Sequence, residues 1–225
     1  MNTIRLKKGR ERSVVKGHPW VFSGAIAEGE AAAGEMVEVC DASGAKLAQG
    51  WYSPASQIRV RIVPDAPVAD LVAEAVGRRA AFYADDAVTA IRLVNAENDL
   101  LPGVIADCYA GHVVCQFTSA GADARKEEIA DALMKFAPFC QSVSERCDVD
   151  SRAKEGLPTE PAFRVLRGAE PPELVEIAEN GVKFLVDVPR RSEAGLASPP
   201  RDELRCADAG RVDHHRTRRQ EEGGA

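Results

Sequence analysis

The stretch QIRVRIV, Gln57 to Val63, alternates polar and apolar residues from Gln57 to Ile62. Ile58, Val60 and Ile62 fall on one side of an extended chain, and Arg59 and Arg61 on the other. EMVEVCDA, Glu35 to Ala42, alternates in the same way. Ala42-Ser43-Gly44 and Tyr52-Ser53-Pro54 supply turn chemistry around these strands. Short strands with glycine-bearing turns over residues 1–67 predict a small β-barrel, closed off by the linker Pro64-Asp65-Ala66-Pro67.

Further along, the texture becomes mixed α and β, and residues 68–172 read as a central α+β domain. An alanine-rich segment, Val68 to Val88, carries Leu71, Val72, Ala75 and Val76 at helical spacing. Ala124 to Phe136 predicts a second helix with Ile129, Ala132, Leu133 and Phe136 in one stripe. Gly103 to Asp107, His112 to Phe117 and Cys140 to Glu145 are strand candidates. Residues 173–189 contain LVEIAENGVKFLVDV, two alternating runs around Asn180-Gly181, the dipeptide favoured in type I′ hairpin turns. From 190 to 225 the pattern collapses: no aromatic follows Phe184, and arginines and acids mix without period. Such a segment is expected to be disordered, because it cannot bury enough apolar area to offset ordering entropy.

The composition excludes some classes of function. A net charge of −6 argues against a uniformly basic nucleic-acid coat. No apolar run reaches the ~20 residues of a membrane span, and the polar, basic start carries no secretory signal, so a cytoplasmic protein is expected. The cysteines at 40, 108, 115, 140, 147 and 206 form no C-x-x-C pair, and His214-His215 lacks a cysteine pair at zinc spacing. No metal is expected, and the thiols are expected to be free and buried.

One local patch runs against the acidic average. In LKKGRERSVVKGHPWVFSGAI, Leu6 to Ile26, the cations Lys7, Lys8, Arg10, Arg12 and Lys16 crowd beside His18 and Trp20. Screening confines each charge to about 8–10 Å, so a basic patch on an acidic protein can still hold phosphates. Arg59 and Arg61 are candidates for the same work, and His18 for stacking on an unpaired base. The bland alternative is a solvated, charged strand. Trp20, flanked by Val21 and Phe22, is expected in the core under either reading.

This stretch, with its H-P-W-x-F-S-G-A-I block, resembles the start of the PUA-domain-containing ribosomal RNA cytosine-5 methyltransferases. Four later blocks resemble the same family in the same order: GWYSPASQIRVR (50–61), RLVNAENDLLPGVIADCY (92–109), ERCDVDSRAKEGL (145–157) and EIAENGVKFLVDV (176–188). The resemblance implies a PUA-like RNA-binding barrel, a central α+β domain and a Rossmann-like methyltransferase domain. It also implies S-adenosylmethionine as methyl donor and large-subunit ribosomal RNA as partner. In that family a cysteine thiolate adds to C6 of a cytosine, which makes C5 nucleophilic, and the base must be exposed to be reached.

After Val188 the sequence departs from the family. Where a segment like G-H-K-T-G-F-Y-L-D-Q-R belongs, it reads RSEAGLASPPR from Arg191 to Arg201; Gly195, Arg201 and Asp202 alone could match. No glycine-rich cofactor turn, D-P-P-x-F block or S-C-S block is present beyond it. The Rossmann-like domain is therefore expected to be missing, with no catalytic or cofactor-binding residue and no cofactor held in this chain. Cys147 has Arg146 beside it, but Asp148 and Asp150 oppose a lowered pKa, and a structural role is expected. Arg92, Asn95, Glu97 and Asp99, with Arg146, are either hydrogen-bonded turn residues or support for a substrate pocket.

Three readings stay open on the sequence: an RNA-binding front part unable to methylate, a fragment of an active methyltransferase whose catalytic part is lost by frameshift, and a non-RNA interaction scaffold. With the catalytic domain missing, Val182, Phe184 and Val186 would lie uncovered, a sticky edge inviting self-association. A homo-oligomer likewise stays open.

Overall fold

The computed structural model describes residues 1–83, 88–179 and 182–189, with the backbone of 205–206. Its first unit is a six-stranded sheet. The strands are β1 (Asn2–Leu6), β2 (Trp20–Phe22), β3 (Ile26–Glu28), β4 (Met36–Cys40), β5 (Lys46–Tyr52) and β6 (Ile58–Val63), in the order β2-β6-β5-β4-β1-β3. One short helix, α1 (Glu11–Val15), lies between β1 and β2. Within this sheet only β1 and β4 run parallel. Val21 from one edge strand packs with Ile4, Leu6, Val37, Val39, Tyr52 and Val60, and Ile26 of the other edge packs against the same core. Both edges feeding one core means that the sheet curls on itself, as the expected barrel requires.

The second unit begins with α2 (Val68–Gly77), which carries the helical spacing of Leu71, Val72, Ala75 and Val76, and with the separate short α3 (Ala80–Tyr83). A five-stranded sheet comes next, built from β7 (Ala90–Asn95), β8 (Val104–Tyr109), β9 (His112–Phe117), β10 (Ser142–Arg146) and β11 (Phe163–Gly168) in the order β11-β10-β9-β8-β7. Between β9 and β10 lie α4 (Ala120–Asp123) and α5 (Lys126–Phe136), and α6 (Asp150–Lys154) precedes β11. Helices α2 and α5 cover one face. Leu71, Val72, Ala75, Ile129, Ala132 and Leu133 meet Val104, Ala106, Val113, Cys115 and Phe117 there, which is the helical periodicity meeting the two-residue alternation of the strands.

The other face is covered by a hairpin of β12 (Leu174–Glu179) and β13 (Val182–Asp187). The pairs Val175↔Val186 and Ile177↔Phe184 set one face inward. Val175, Ile177 and Val186 are buried against Tyr109 and Val114, and Phe184 packs beside them. This corrects the expectation of an uncovered edge: Val186 is 3% exposed, and among Val182, Phe184 and Val186 only Val182 stands out, at 49%. The turn residues Asn180 and Gly181 lie outside the described residues. So does the segment 190–225 expected to be disordered, apart from β14 (Arg205–Cys206), which pairs with β13.

The two units share an interface that starts as one cross-strand row. Met36, Trp51, Arg61 and Trp20 are opposite one another across β4, β5, β6 and β2. Each reaches the second unit. Trp51 is buried in the core of that unit, with Met36 packed against it. Arg61 pairs with Glu155 at 2.9 Å, and Trp20 Nε1 donates to Glu97 Oε1 at 2.8 Å. A cross-strand row shares one face of a sheet, so this face is committed to the neighbouring domain and the opposite face to the barrel core.

Candidate nucleic-acid interface

The chain leaves β1 through Lys7, Lys8 and Gly9, makes the turn of α1, and re-enters the sheet at Trp20. The end of α1 sets the direction of the chain into β2. Gly17 N–H donates to the Val14 carbonyl and His18 N–H to the Ser13 carbonyl, with Gly17 at φ +82°. This is a Schellman cap, in which a left-handed glycine ends the helix and turns the next residue outward. His18 is thereby placed on the surface, and its Nδ1 lies 3.1 Å from both the amide nitrogen and the carbonyl oxygen of Trp20.

Beyond His18 the short strand sorts its residues by alternation. Val21 is buried in the barrel, whereas Trp20 is half-buried and Phe22 is 46% exposed. Trp20 is therefore not a core residue, contrary to expectation; the core position belongs to Val21. The rings of His18, Trp20 and Phe22 form a cluster with centroids 5.9, 6.1 and 6.3 Å apart, and no pair stacks in parallel. A groove of about 360 Å³ runs beside them, lined by Arg10, Val14, Trp20, Phe22 and Gly24 among others. Lys7, Lys8, Arg10, Arg12 and Lys16 are all exposed, and Arg10 lines the groove. Lys7 Nζ reaches the Gly24 carbonyl at 3.0 Å, which closes one side of the loop.

The two strand arginines are placed differently. Arg61 is buried, its charge taken up by Glu155, whose other oxygen accepts from the Ala120 amide at 3.3 Å. A buried guanidinium already paired with a carboxylate is poorly placed to meet phosphate, and Arg61 serves as an interdomain tie. Arg59 is half-buried; it donates to the Pro54 carbonyl and lies 6.0 Å from the Tyr52 ring centre.

The residues expected to support a substrate pocket each have hydrogen-bond partners of their own. Arg92 grips Asp107 through two hydrogen bonds, at 2.8 and 3.1 Å. Asn95 gives its amide N–H to Asp99, which also holds Arg78 and Arg79. Burial pushes Asp99 up, but the hydrogen bonds from Arg79, the Asn95 amide and Arg78 outweigh it and leave its carboxyl below the usual range. Arg146 binds Asp148 at 3.0 Å and the Pro189 carbonyl at 3.3 Å. Glu97 alone belongs to the aromatic cluster, through Trp20. Phe22 was missed although the Trp-Val-Phe alternation pointed to it. The Glu97 contact spans 77 positions, and no local pattern announces it.

Cys147 is 3% exposed, and its thiol is pushed up to about 11 by burial and by its bond to Glu145. A thiol held protonated is a poor nucleophile. Among the described residues no group of His, Cys, Asp and Glu could hold a metal ion. No described helix is long and apolar enough to cross a membrane.

Residues 4–64, the segment that forms the barrel, match the PUA-like domain family. Most of the chain aligns with named relatives. It is 44% identical over 214 residues to the Ribosomal RNA large subunit methyltransferase I of Vibrio campbellii, a match covering 88% of this chain and 52% of that protein. It is 43% identical over 217 residues to the protein of the same name from Photobacterium profundum, covering 91% of the chain and 54% of the relative. The chain thus spans about half the length of the curated relatives it matches. A solved structure from Streptococcus mutans, titled a SAM-dependent methyltransferase, superposes with a TM-score of 0.69 at 20% identity, over 83% of this chain and 48% of that one. A second, titled a methyltransferase complexed with SAH, matches to the same extent. At that identity the likeness is one of fold.

Proposed function

We propose that this chain is the RNA-recognising part of a SAM-dependent methyltransferase system acting on large-subunit ribosomal RNA. The observation that carries the reading is the surface cluster of His18, Trp20 and Phe22, with Arg10 in the groove beside it and Lys7, Lys8, Arg12 and Lys16 exposed in the same segment. Cations supply affinity for the phosphate backbone, whereas ring faces supply contacts that only unpaired bases can meet. The named relatives support ribosomal RNA as the substrate class, and cytosine C5 is the finer assignment that the sequence resemblance carries. The sequence resemblance leaves methyl transfer to a catalytic domain whose motifs do not occur in this chain, and Cys147, buried with its thiol pushed up, is a poor substitute for its nucleophile.

Replacing Lys7, Lys8, Arg10 and Arg12 together with alanine is expected to weaken RNA binding at low salt by more than about tenfold. It should also flatten the dependence of affinity on salt by roughly 0.7–0.9 per lost phosphate contact. The measurement is a titration of fluorescently labelled ribosomal RNA fragments across salt concentrations. An unchanged slope would remove this surface from the interface.

A further inference from the structure

Glu97 is the unexpected group at this surface. It lies in a 3-10 turn, Ala96–Asp99, of the second domain, yet its carboxylate receives the indole N–H of Trp20 in the barrel. A negative charge beside a basic, phosphate-facing patch weakens the pull on RNA, so its placement calls for a compensating role. The geometry offers one. Indole has a single donor, and engaging it selects one orientation of a ring that projects from a short edge strand. His18 braces the same residue from the other side through the Trp20 backbone. Phe22 stands nearly perpendicular to Trp20, at 89°, and tilted 52° from His18. The three rings make a corner, open to solvent at Phe22 and bordered by Arg10 in the groove.

We propose that this corner is a stacking seat for an unpaired nucleobase, and that Glu97 is the positioning residue that sets Trp20 in it from the neighbouring domain. The proposal rests on the RNA-binding reading above and adds which form of RNA is taken. A paired duplex hides its base faces within the helix, whereas a single strand presents them to aromatic side chains. Arg10, on the groove wall, is then placed to meet the phosphate of the seated nucleotide.

The full chain contains its own reporter. It has two tryptophans, and Trp51 is 1% exposed, so Trp20 carries the fluorescence response to an added ligand. A single-stranded RNA of about ten nucleotides is expected to quench Trp20, and a fully paired duplex of the same length is not. Phe22→Ala should weaken single-strand binding about tenfold, the loss of one base-stacking contact, and leave duplex binding as it was. Glu97→Ala and Glu97→Gln remove the same charge, but glutamine keeps an acceptor for the indole. Glu97→Ala should therefore weaken single-strand binding by about fivefold to tenfold, with Glu97→Gln at or above the wild-type affinity. Circular dichroism of each variant checks that it folds. If both alanine variants bind like wild type and Trp20 stays silent while affinity still falls steeply with salt, the seat is wrong and the RNA reading stands. If no RNA binds in a salt-dependent way, the RNA reading falls and the seat with it. Equal losses in Glu97→Gln and Glu97→Ala would overturn the positioning role.

Discussion

Removing Arg61 leaves the Glu155 carboxylate buried without its cation. Both side chains are more than nine-tenths buried, so water cannot take over the lost contact. Breaking one half of such a pair typically costs about 3–5 kcal/mol, whereas replacing both partners with apolar residues of similar size is often close to neutral. Arg61→Ala is accordingly expected to lower the urea midpoint strongly, and Arg61→Met with Glu155→Leu to recover most of the loss. A single-variant loss below about 1 kcal/mol would mean that the pair is solvated in solution. The second buried centre, Glu145, faces Arg152, Arg164 and Lys126, at 3.4, 2.5 and 3.6 Å. One carboxylate thereby ties α5, α6 and β11 to the strand β10, and Arg152 adds a 2.7 Å hydrogen bond to the Phe117 carbonyl.

At the scale of elements, α4 and β5 meet with no room between them. A methyl group built on Gly121 would lie 2.2 Å from the Cβ of Trp51 and 2.4 Å from its Cγ. Trp51 is enclosed by the core of the second domain, where close packing leaves little volume into which to retreat. Gly121→Ala is therefore expected to destabilise the chain by about 1–3 kcal/mol and to alter the near-ultraviolet dichroism of Trp51. Unchanged thermal unfolding would show that α4 can slide away from the barrel. The elements themselves were legible wherever periodicity was strong. The strands around Val37 and Val60, the helix around Leu133 and the two runs flanking Asn180-Gly181 fall within a residue or two of their expected bounds. β7 and β11 were missed. Each mixes arginine with apolar residues on a sheet edge, and the sequence AIRLVN carries a bulge between Arg92 and Val94 that disturbs the alternation. In the candidate site, the cations and His18 were legible as a local cluster. Arg61 and Trp20 were misread because their partners, Glu155 and Glu97, come from a different domain. Alternation reports which face a residue occupies; what lies opposite that face is decided by tertiary structure.

Across the whole molecule, the two domains depend on each other. Trp51 and Val63 are barrel residues by sequence, but they belong to the core shared with α2, α5 and the five-stranded sheet. Arg125 of the second domain lies 4.7 Å from the Trp51 ring centre and donates to the Gly34 carbonyl at 2.8 Å. A fragment of residues 1–67 would expose Trp51 and leave Arg61 without its counterion. It is expected to unfold at a far lower urea concentration than the full chain and to bind apolar dyes such as ANS. A fragment as stable as the full chain would show that the shared core contributes little.

The row Met36, Trp51, Arg61 and Trp20 spans three interstrand gaps, about 14 Å at ordinary sheet spacing. Two bodies joined along a line of that length, by a packed ring at one end and polar ties at the other, behave like a carpenter's square and not like a hinge. Whatever rests on Phe22 is then presented at a constant bearing to the strand that ends at Asp187. The span from Phe22 to Asp187 is then a dimension of the fold, set before any ligand arrives.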